Sequence, residues 1–218
     1  MADEKANMLI FRRGYGAKLS GSAQKDESEL RPLWKRGTDI VGGLAALVVS
    51  AIPMLVIAGA IVADSGRPVL LRQRRIGVHG QEFQMWKFRT LPVDTPQLAK
   101  SELRASGLQT SPLGRFLRRY SLDELPQLLN VLSGDMSLIG PRPALFTQHD
   151  LVALRRDAGV LRVRPGLTGF AQIKGRENLS LEDKVALDAD YVRRMSPLTD
   201  LSIALRTASA VLRARGSY

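Results

Sequence analysis

Two adjacent carboxylates, Asp123 and Glu124, are the side chains best placed to do chemistry. They lie in residues 118–143, which read RRYSLDELPQLLNVLSGDMSLIGPRP. Ser121 and Glu124 have the spacing of a capping box, and leucines follow at helical spacing until Gly134, a helix stop. We therefore expect a helix to begin at the two acids, where unpaired N–H groups and the helix dipole favour a bound anion.

Arginines flank the two acids on both sides. Arg115, Arg118 and Arg119 precede them, and Arg142 follows. Guanidinium groups bind phosphate oxygens in pairs, so the stretch predicts phosphate chemistry at a carboxylate. The alternative is a capped helix with a solvated basic flank, which the same pattern more often encodes.

The composition limits the partners and metals to be considered. With 218 residues the chain can form one substantial domain or two small ones. It has no cysteine and only two histidines, which excludes disulfides, thiolate metal sites and a histidine cage. Any metal should then be oxygen-bound, and Mg²⁺ held by carboxylates and substrate phosphates is the natural candidate. The net charge of +11 predicts an anionic partner: nucleic acid, a membrane surface or a phosphorylated substrate.

An apolar segment near the N-terminus is the first element that must position the acids. Residues 1–30 lack sustained periodicity and a signal-peptide pattern, and we expect a disordered cytoplasmic tail there. Ile40 to Ala63 carries no charge and would span ~36 Å as one helix. We therefore assign residues 31–66 to the membrane.

Pro53 lies near the middle of this segment, with Ser50 three residues before it. Proline is tolerated in helices that cross a bilayer, so a kinked span is the default. Both flanks are basic, however, and the positive-inside rule then places both ends in the cytoplasm. We predict a re-entrant membrane segment of two helices, Ile40–Ile52 and Pro53–Ala63, joined at a break near Ser50 and Pro53.

Residues 67–218 are expected to form one cytoplasmic catalytic domain. Pro68 to Thr90 predicts a β-hairpin that turns near Gly77 and Gly80, with Lys87 and Arg89 on one face of its second strand. Residues 92–109 have the composition of a surface loop. Apolar residues between 113 and 120 recur opposite arginines, as in a helix that either packs on a core or lies at an anionic membrane surface.

The C-terminal third alternates predicted helices with a glycine-rich stretch. Helices are expected at His149–Asp157, from Ser180 to about Met195, and in the amphipathic segment Leu201–Arg215. Residues 163–176, VRPGLTGFAQIKGR, read as a loop that could hold a nucleotide's phosphates with backbone and basic side chains, Arg164 and Arg176 among them. The predicted fold class is α+β and mainly helical: a re-entrant helix-break-helix membrane segment plus one compact cytoplasmic domain with a small β-hairpin and amphipathic interfacial helices.

Several motifs in order resemble a known family from residue 35 to the C-terminus. They are the interrupted apolar segment, PVLLRQRRIG, WKFRT, RRYSLDELPQ, SGDMSLIGPRP, VRPGLTGFAQIKGR and the D-x-x-Y of Asp188–Tyr191. The chain is similar to the bacterial sugar transferases, the monotopic polyprenyl-phosphate hexose-1-phosphate transferases that start surface glycan synthesis such as that of exopolysaccharide. The resemblance implies transfer of hexose 1-phosphate from a UDP-sugar to undecaprenyl phosphate, with Mg²⁺ and release of UMP, at the cytoplasmic face of the bacterial inner membrane.

The resemblance also assigns roles to residues. It makes Asp123 the nucleophile that takes the phosphosugar and Glu124 its acidic partner, with the metal at these two acids; spacing alone does not choose between them. It places Lys87, Arg118 and Arg142 on phosphate and Asp188, with the glycine-rich loop, in the nucleotide-sugar site. Arg89, Arg164 and Arg176 join them as phosphate-binding candidates.

The sequence departs from the family pattern at the helix break. The family commonly breaks its membrane helix at an adjacent Ser-Pro pair, whereas Ser50 and Pro53 are separated here, which leaves the breakpoint open. Thr38 also replaces an aromatic residue before Asp39, and KFRTL replaces KFRSM. None of these changes removes a proposed catalytic group.

Two other functions fit the basic charge. One is a membrane-anchored nucleic-acid-binding protein, and the other is a scaffold that binds anionic lipid without catalysis. Aromatic residues are only 6% of the chain and no recognition motif is present, so we expect no nucleic-acid partner. Neither alternative requires an Asp-Glu pair at a helix start, and the sequence leaves the hexose, the glycan pathway and the oligomeric state open.

Overall fold

A long helix near the N-terminus, α1 (Leu33–Ser65), begins the described part of the chain. The computed structural model describes residues 32–93, 95, 110–174 and 179–212, and the side chains of 211 and 212 are not described. The predicted tail at 1–30, most of the predicted loop at 92–109 and Arg176 lie outside these residues.

The predicted division of the membrane segment into two helices is not observed. Helix α1 has 33 residues and continues through Pro53. Proline removes only the hydrogen bond to the carbonyl one turn earlier, and the turns on either side remain helical. One turn before Pro53, the Ser50 hydroxyl is also occupied within the helix, since it donates to the Ala46 carbonyl at 2.7 Å.

Most of α1 leaves apolar side chains uncovered. The helix is long and apolar enough to cross a membrane by length and composition. The large apolar residues exposed along it are Leu33, Ile40, Val41, Leu44, Val48, Val49, Ile52, Leu55, Val56 and Val62. A contiguous apolar surface of this kind requires an apolar environment, which supports the predicted membrane association.

The predicted hairpin follows α1 and is confirmed. Strands β1 (Leu70–Ile76) and β2 (Glu82–Phe88) pair antiparallel, from Leu70 opposite Phe88 to Ile76 opposite Glu82. A 3₁₀ turn at Val78–Gly80 joins them. Phe88 then packs with Leu117 against Ile57 and Ile61 in the second half of α1.

The two acids lie between two short helices. Helix α2 (Pro112–Arg119) precedes a 3₁₀ turn at Leu122–Glu124, and α3 (Gln127–Ser133) follows. The expected capping box is wrong, because Ser121 has φ 56° and its side chain caps nothing. Pro126 has no N–H, so an α-helix cannot hydrogen-bond through it and α3 begins only after it. The predicted stop at Gly134 is confirmed by its φ of 95°.

The glycine-rich stretch is not a loop, contrary to its composition. It contains β4 (Gly166–Thr168), which pairs in parallel with β3 (Ser137–Ile139), and α5 (Phe170–Lys174). Strand β4 forms because it pairs with β3, a segment distant in the sequence. Local composition does not reveal such pairing.

The remaining helices agree with the predicted ones. They are α4 (His149–Asp157), α6 (Leu181–Arg194), which the Ser180 side chain caps, and α7 (Pro197–Leu212). Helix α7 begins earlier than expected because proline is favoured in a first helical turn. The described chain is thus mainly helical with two small sheets, and Ile139, Tyr191 and Ile203 join β3, α6 and α7 in one apolar cluster.

Candidate active site

Glu124 is the centre of a cluster of charges contributed by three separate elements. Its Oε1 accepts from Lys87 Nζ on β2 at 3.0 Å and from Arg142 Nη2, after β3, at 2.6 Å. The Arg142 Nη1 lies 3.4 Å from the second oxygen. Burial alone would raise the pKa of Glu124, but Arg142 and Lys87 hold that pKa well below its usual range. Glu124 is therefore ionised, and Lys87 and Arg142 already occupy its carboxylate.

Asp123, one residue earlier, is buried at 8% exposure without such partners. It makes no hydrogen bond or ion pair with another described residue, and Lys87, Arg118 and Arg142 act on it only as nearby charges. Burial raises the pKa of Asp123, Lys87 opposes the rise and the Glu124 charge adds to it. Asp123 thus keeps both carboxylate oxygens available for an incoming group beside several cations.

Arg118 and Lys87 both lie beside the acids, and their environment orients them or shifts their pKa. Arg118 Nε donates to Thr90 Oγ1 at 2.8 Å, so the end of the hairpin aims this guanidinium at the Asp123 side of the cluster. Burial lowers the pKa of Lys87, and Glu124 opposes that shift. The expected gathering of Lys87, Arg118 and Arg142 around the two acids is therefore observed as geometry.

Arg75 is a member of the cluster that the sequence analysis did not select. Its Nη1 donates to the Pro143 carbonyl at 3.0 Å, and burial, then the Arg142 charge, lower its pKa to about 9. A signal was present in PVLLRQRRIG, since Arg75 lies opposite Phe83, an even number of residues from Lys87, and so shares the face of Lys87.

Glycines bring the Arg142 loop into contact with β4. Gly140 N–H donates to the Thr168 carbonyl and Gly166 N–H donates to the Pro141 carbonyl, both at 2.8 Å. A Cβ on Gly166 would lie 2.0 Å from Gly140 N, and one on Gly169 would lie 2.2 Å from Gly140 O. The G-P-R-P and R-P-G-L-T-G motifs therefore pack backbone against backbone, which fixes the start of the loop that carries Arg142.

Three other predicted site residues make their contacts elsewhere. Arg89 Nη2 donates to the carbonyls of Ser65 at 2.7 Å and Gly66 at 2.6 Å, at the C-terminal end of α1. Arg164 approaches Gly134, at the end of α3 that faces away from Glu124. Asp188 is buried against Arg155. Their binding of phosphate or nucleotide stays a prediction, as does that of Arg176.

Asp123 and Glu124 fit a magnesium ion only in part. No group of three or more His, Cys, Asp or Glu side chains suited to a metal occurs within the described ranges. Mg²⁺ usually takes one or two carboxylates and completes its shell with water and substrate phosphates. Because Glu124 is shared by two cations, Asp123 offers the open oxygens, and the arrangement fits an ion that arrives with a phosphorylated substrate.

Comparison with known proteins places this geometry in context. The family described as bacterial sugar transferase matches residues 30–214. The chain is 40% identical over 201 residues to the exopolysaccharide production protein ExoY of Rhizobium meliloti, covering 84% of this chain and 88% of that protein. It is 40% identical over 195 residues to the UDP-glucose:undecaprenyl-phosphate glucose-1-phosphate transferase of Caulobacter vibrioides (85% and 72% covered). It is 35% identical over 200 residues to the undecaprenyl-phosphate galactose phosphotransferase of Salmonella typhimurium (84% and 41% covered).

Proposed function

Because the chain belongs to the bacterial sugar transferase family, we propose that it transfers a hexose 1-phosphate from a UDP-sugar to undecaprenyl phosphate and releases UMP. The name of the Caulobacter relative supports this donor class, and the names of the Caulobacter and Salmonella relatives both support this acceptor. The name of the Rhizobium relative supports exopolysaccharide or another surface glycan as the product pathway.

The observation that carries the proposal is the inequality of the two adjacent acids. Glu124 is bound by Lys87 and Arg142, whereas Asp123 lies in the same cationic enclosure without a hydrogen-bonding partner among the described residues. A nucleophilic carboxylate needs an uncommitted oxygen and neighbouring cations that accept the charge of the phosphate. Asp123 meets both requirements, and Glu124 meets only the second.

The proposed reaction proceeds in two displacements. An Asp123 oxygen attacks the phosphorus that bears the sugar, the bond from that phosphorus to the oxygen of the UMP phosphate breaks, and UMP leaves with that electron pair. A phosphate oxygen of undecaprenyl phosphate then attacks the same phosphorus and releases the Asp123 carboxylate. Lys87, Arg118 and Arg142 bind and orient the phosphate oxygens, and bound Mg²⁺ supplies further neutralisation of their charge.

The contacts of α1 support the proposal that both of its ends lie on the side of the membrane that holds the catalytic domain, which the basic flanks of the segment indicate is the cytoplasmic side. At its N-terminal end, Lys35 Nζ donates to the Ile139 carbonyl at 2.7 Å. At its C-terminal end, Ser65 accepts from Arg89. A helix that crosses a bilayer leaves its ends on opposite sides of a ~30 Å hydrocarbon layer, so one domain could not hold both. On α7, Leu198, Leu201 and Leu205 are 79%, 56% and 64% exposed, which suits a helix lying at the membrane surface.

Exchange of labelled UMP into UDP-sugar, without acceptor lipid, tests the mechanism most directly. Purified wild-type protein with Mg²⁺ and a panel of UDP-sugars should catalyse exchange with one of them and show the mass of one phosphosugar after rapid quench. Asp123→Asn should lose exchange, adduct and turnover together, whereas Glu182→Gln, an exposed acid on α6, should keep all three. Turnover with lipid but neither exchange nor adduct would mean direct attack by the lipid phosphate.

Metal binding should depend on the nucleotide, because among the described residues the site offers one open carboxylate, that of Asp123, rather than a cage. Thermal unfolding of the wild-type protein should be unchanged by Mg²⁺ alone and shifted upward by Mg²⁺ with UDP-sugar. An equal shift by Mg²⁺ alone would show that protein groups suffice to hold the ion.

A further inference from the structure

The segment from Ile139 to Pro143, called here the Arg142 loop, is held at both ends by helix α6. Asp188 and Tyr191 are three residues apart on α6 and therefore share one face. Each side chain is only 1% exposed and reaches a different end of the loop. The D-x-x-Y motif thus supports the loop from the protein interior, Tyr191 directly and Asp188 through an arginine.

Asp188 reaches the loop through one arginine. Its Oδ2 accepts from Arg155 Nε at 3.1 Å and from Arg155 Nη2 at 2.6 Å. The remaining nitrogen, Arg155 Nη1, donates to the carbonyl of Arg142 at 2.7 Å. With Asp188 removed, the buried Arg155 would lose its counter-charge and its orientation, and the Arg142 carbonyl would lose its donor.

Tyr191 fixes the beginning of the loop. Its hydroxyl lies 3.1 Å from the Ile139 carbonyl and 2.9 Å from Asp200 Oδ1. Lys35, at the start of α1, donates to the same carbonyl and is ion-paired with Asp200. The loop is thereby tied to α6, α7 and the apolar helix at one point.

Arg142 depends on this support because its side chain reaches the buried acid from a partly exposed position. The side chain is 42% exposed, yet it donates to Glu124 Oε1 at 2.6 Å. A long exposed side chain keeps such a position only when its backbone is fixed. Asp188 has 1% exposure and an oxygen committed to Arg155, so it is placed to act on the loop rather than on a substrate.

We propose that Asp188 and Tyr191 are positioning residues for the transfer reaction: they hold the backbone of the Arg142 loop so that Arg142 meets Glu124 and the phosphate beside it. This inference rests on the proposed function. It also changes the role of Asp188 from the nucleotide-sugar contact that the family resemblance implies.

A double-mutant cycle on UMP release separates positioning from contact. Asp188→Asn and Tyr191→Phe, both nearly isosteric, should each lower kcat about 10- to 100-fold. In an Arg142→Ala background, each of the same changes should lower kcat by less than about threefold, because the effects of groups that act as one unit are not additive. Asp190→Asn removes the same charge from the same helix, where Asp190 pairs with the exposed side chains of Arg193 and Arg194, and should leave activity unchanged.

The other outcomes contradict the proposal. If the losses multiply in the Arg142→Ala background, Asp188 acts on the substrate or on the whole fold. If Asp188→Asn does not fold, the double variant Arg155→Gln with Asp188→Asn removes both buried charges, and it must show the same non-additivity with Arg142→Ala. A wild-type protein that releases no UMP from any UDP-sugar refutes the proposed function instead, so the two failures are distinguishable.

Discussion

At the scale of the residue, two identical functional groups one position apart acquire opposite properties from their partners. Glu124 gains two cationic donors in a buried setting, so its charge stabilises the folded protein. Asp123 is also desolvated by burial but has no such donors among the described residues. The negative charge of Glu124 adds to the free-energy cost of ionising Asp123. A carboxylate kept at such a cost is one expected to serve function rather than stability.

Replacing the two acids by their amides should change stability in opposite directions at pH 7. The folded pKa of Asp123 is raised, so its ionisation opposes folding above that pKa, and Asp123→Asn should raise Tm. The folded pKa of Glu124 is depressed, so it stabilises above its unfolded pKa and that stability is lost as pH falls through the folded pKa. Glu124→Gln should cost about 3 kcal/mol by leaving Lys87 underpaired. Unfolding of both variants in the same lipid or detergent measures the difference, and equal signs would contradict it.

The pH dependence of exchange should report the protonation of Asp123. Because its pKa is raised, activity should be lost at a pH above the ordinary aspartate value as the pH falls. Glu124→Gln removes a charge that raises the pKa of Asp123 and retains the cations that lower it, Lys87, Arg118 and Arg142. The acid limb of kcat/KM in Glu124→Gln should therefore move to lower pH; a limb that stays in place would assign it to another group.

At the scale of the element, the active site depends on a backbone contact between two glycines, one just after β3 and one at the start of β4. Parallel strands β3 and β4 approach so closely that Gly166 and Gly140 contact through their backbones. The same contact sets the direction in which the chain leaves β3 toward Arg142. Glycine is therefore required here by space rather than by backbone torsion.

A single methyl group at Gly166 should disrupt this element. The added Cβ would lie 2.0 Å from Gly140 N, a backbone atom that cannot turn away, so Gly166→Ala should cost about 3 kcal/mol or more and most of the activity. Gly37→Ala on α1 is the matched control, because a Cβ there meets nothing within 4 Å. Thermal unfolding and UMP release of the two variants test this. Comparable effects at both sites would mean that the close approach is not the cause.

At the scale of the whole molecule, the apolar helix and the catalytic domain are joined at several points. Near the start of α1, Arg36 donates to the Val131 and Leu132 carbonyls at the end of α3, both at 2.7 Å, and Asp39 accepts from Leu138 N–H at 2.9 Å. Because α3 follows the two acids directly, these contacts connect the apolar helix to the active site.

Both termini should consequently lie on the cytoplasmic side of the membrane. The chain contains no cysteine, so single substitutions Ala2→Cys and Ser217→Cys provide unique labelling sites. In intact cells an impermeant thiol reagent should label neither, and both should react after the membrane is opened. Labelling of one terminus alone in intact cells would mean that α1 crosses the bilayer.

Much of the fold could be predicted from the sequence, because secondary structure depends on local patterns, whereas only the family resemblance assigns Lys87 to the site. The charge-free segment predicts the long apolar helix, period-two alternation predicts the hairpin, and His149–Asp157 is a helix with the predicted bounds. The clustered acids and arginines predict phosphate chemistry at residues 123 and 124, and that chemistry stays a prediction. In the helices and the hairpin, burial and hydrogen bonding repeat with a period set by the backbone, so the pattern of neighbouring residues indicates the element.

The tertiary structure alone decided how those residues divide the work. Lys87 and Arg142 lie 37 and 18 positions from Glu124, and no spacing rule indicates that both bind Glu124 rather than Asp123. Likewise Arg89 binds the end of α1, and Asp188 binds an arginine that supports Arg142. The physical reason is that burial and the distance to an opposite charge fix the state of each ionisable group, and both quantities exist only after distant segments have packed together.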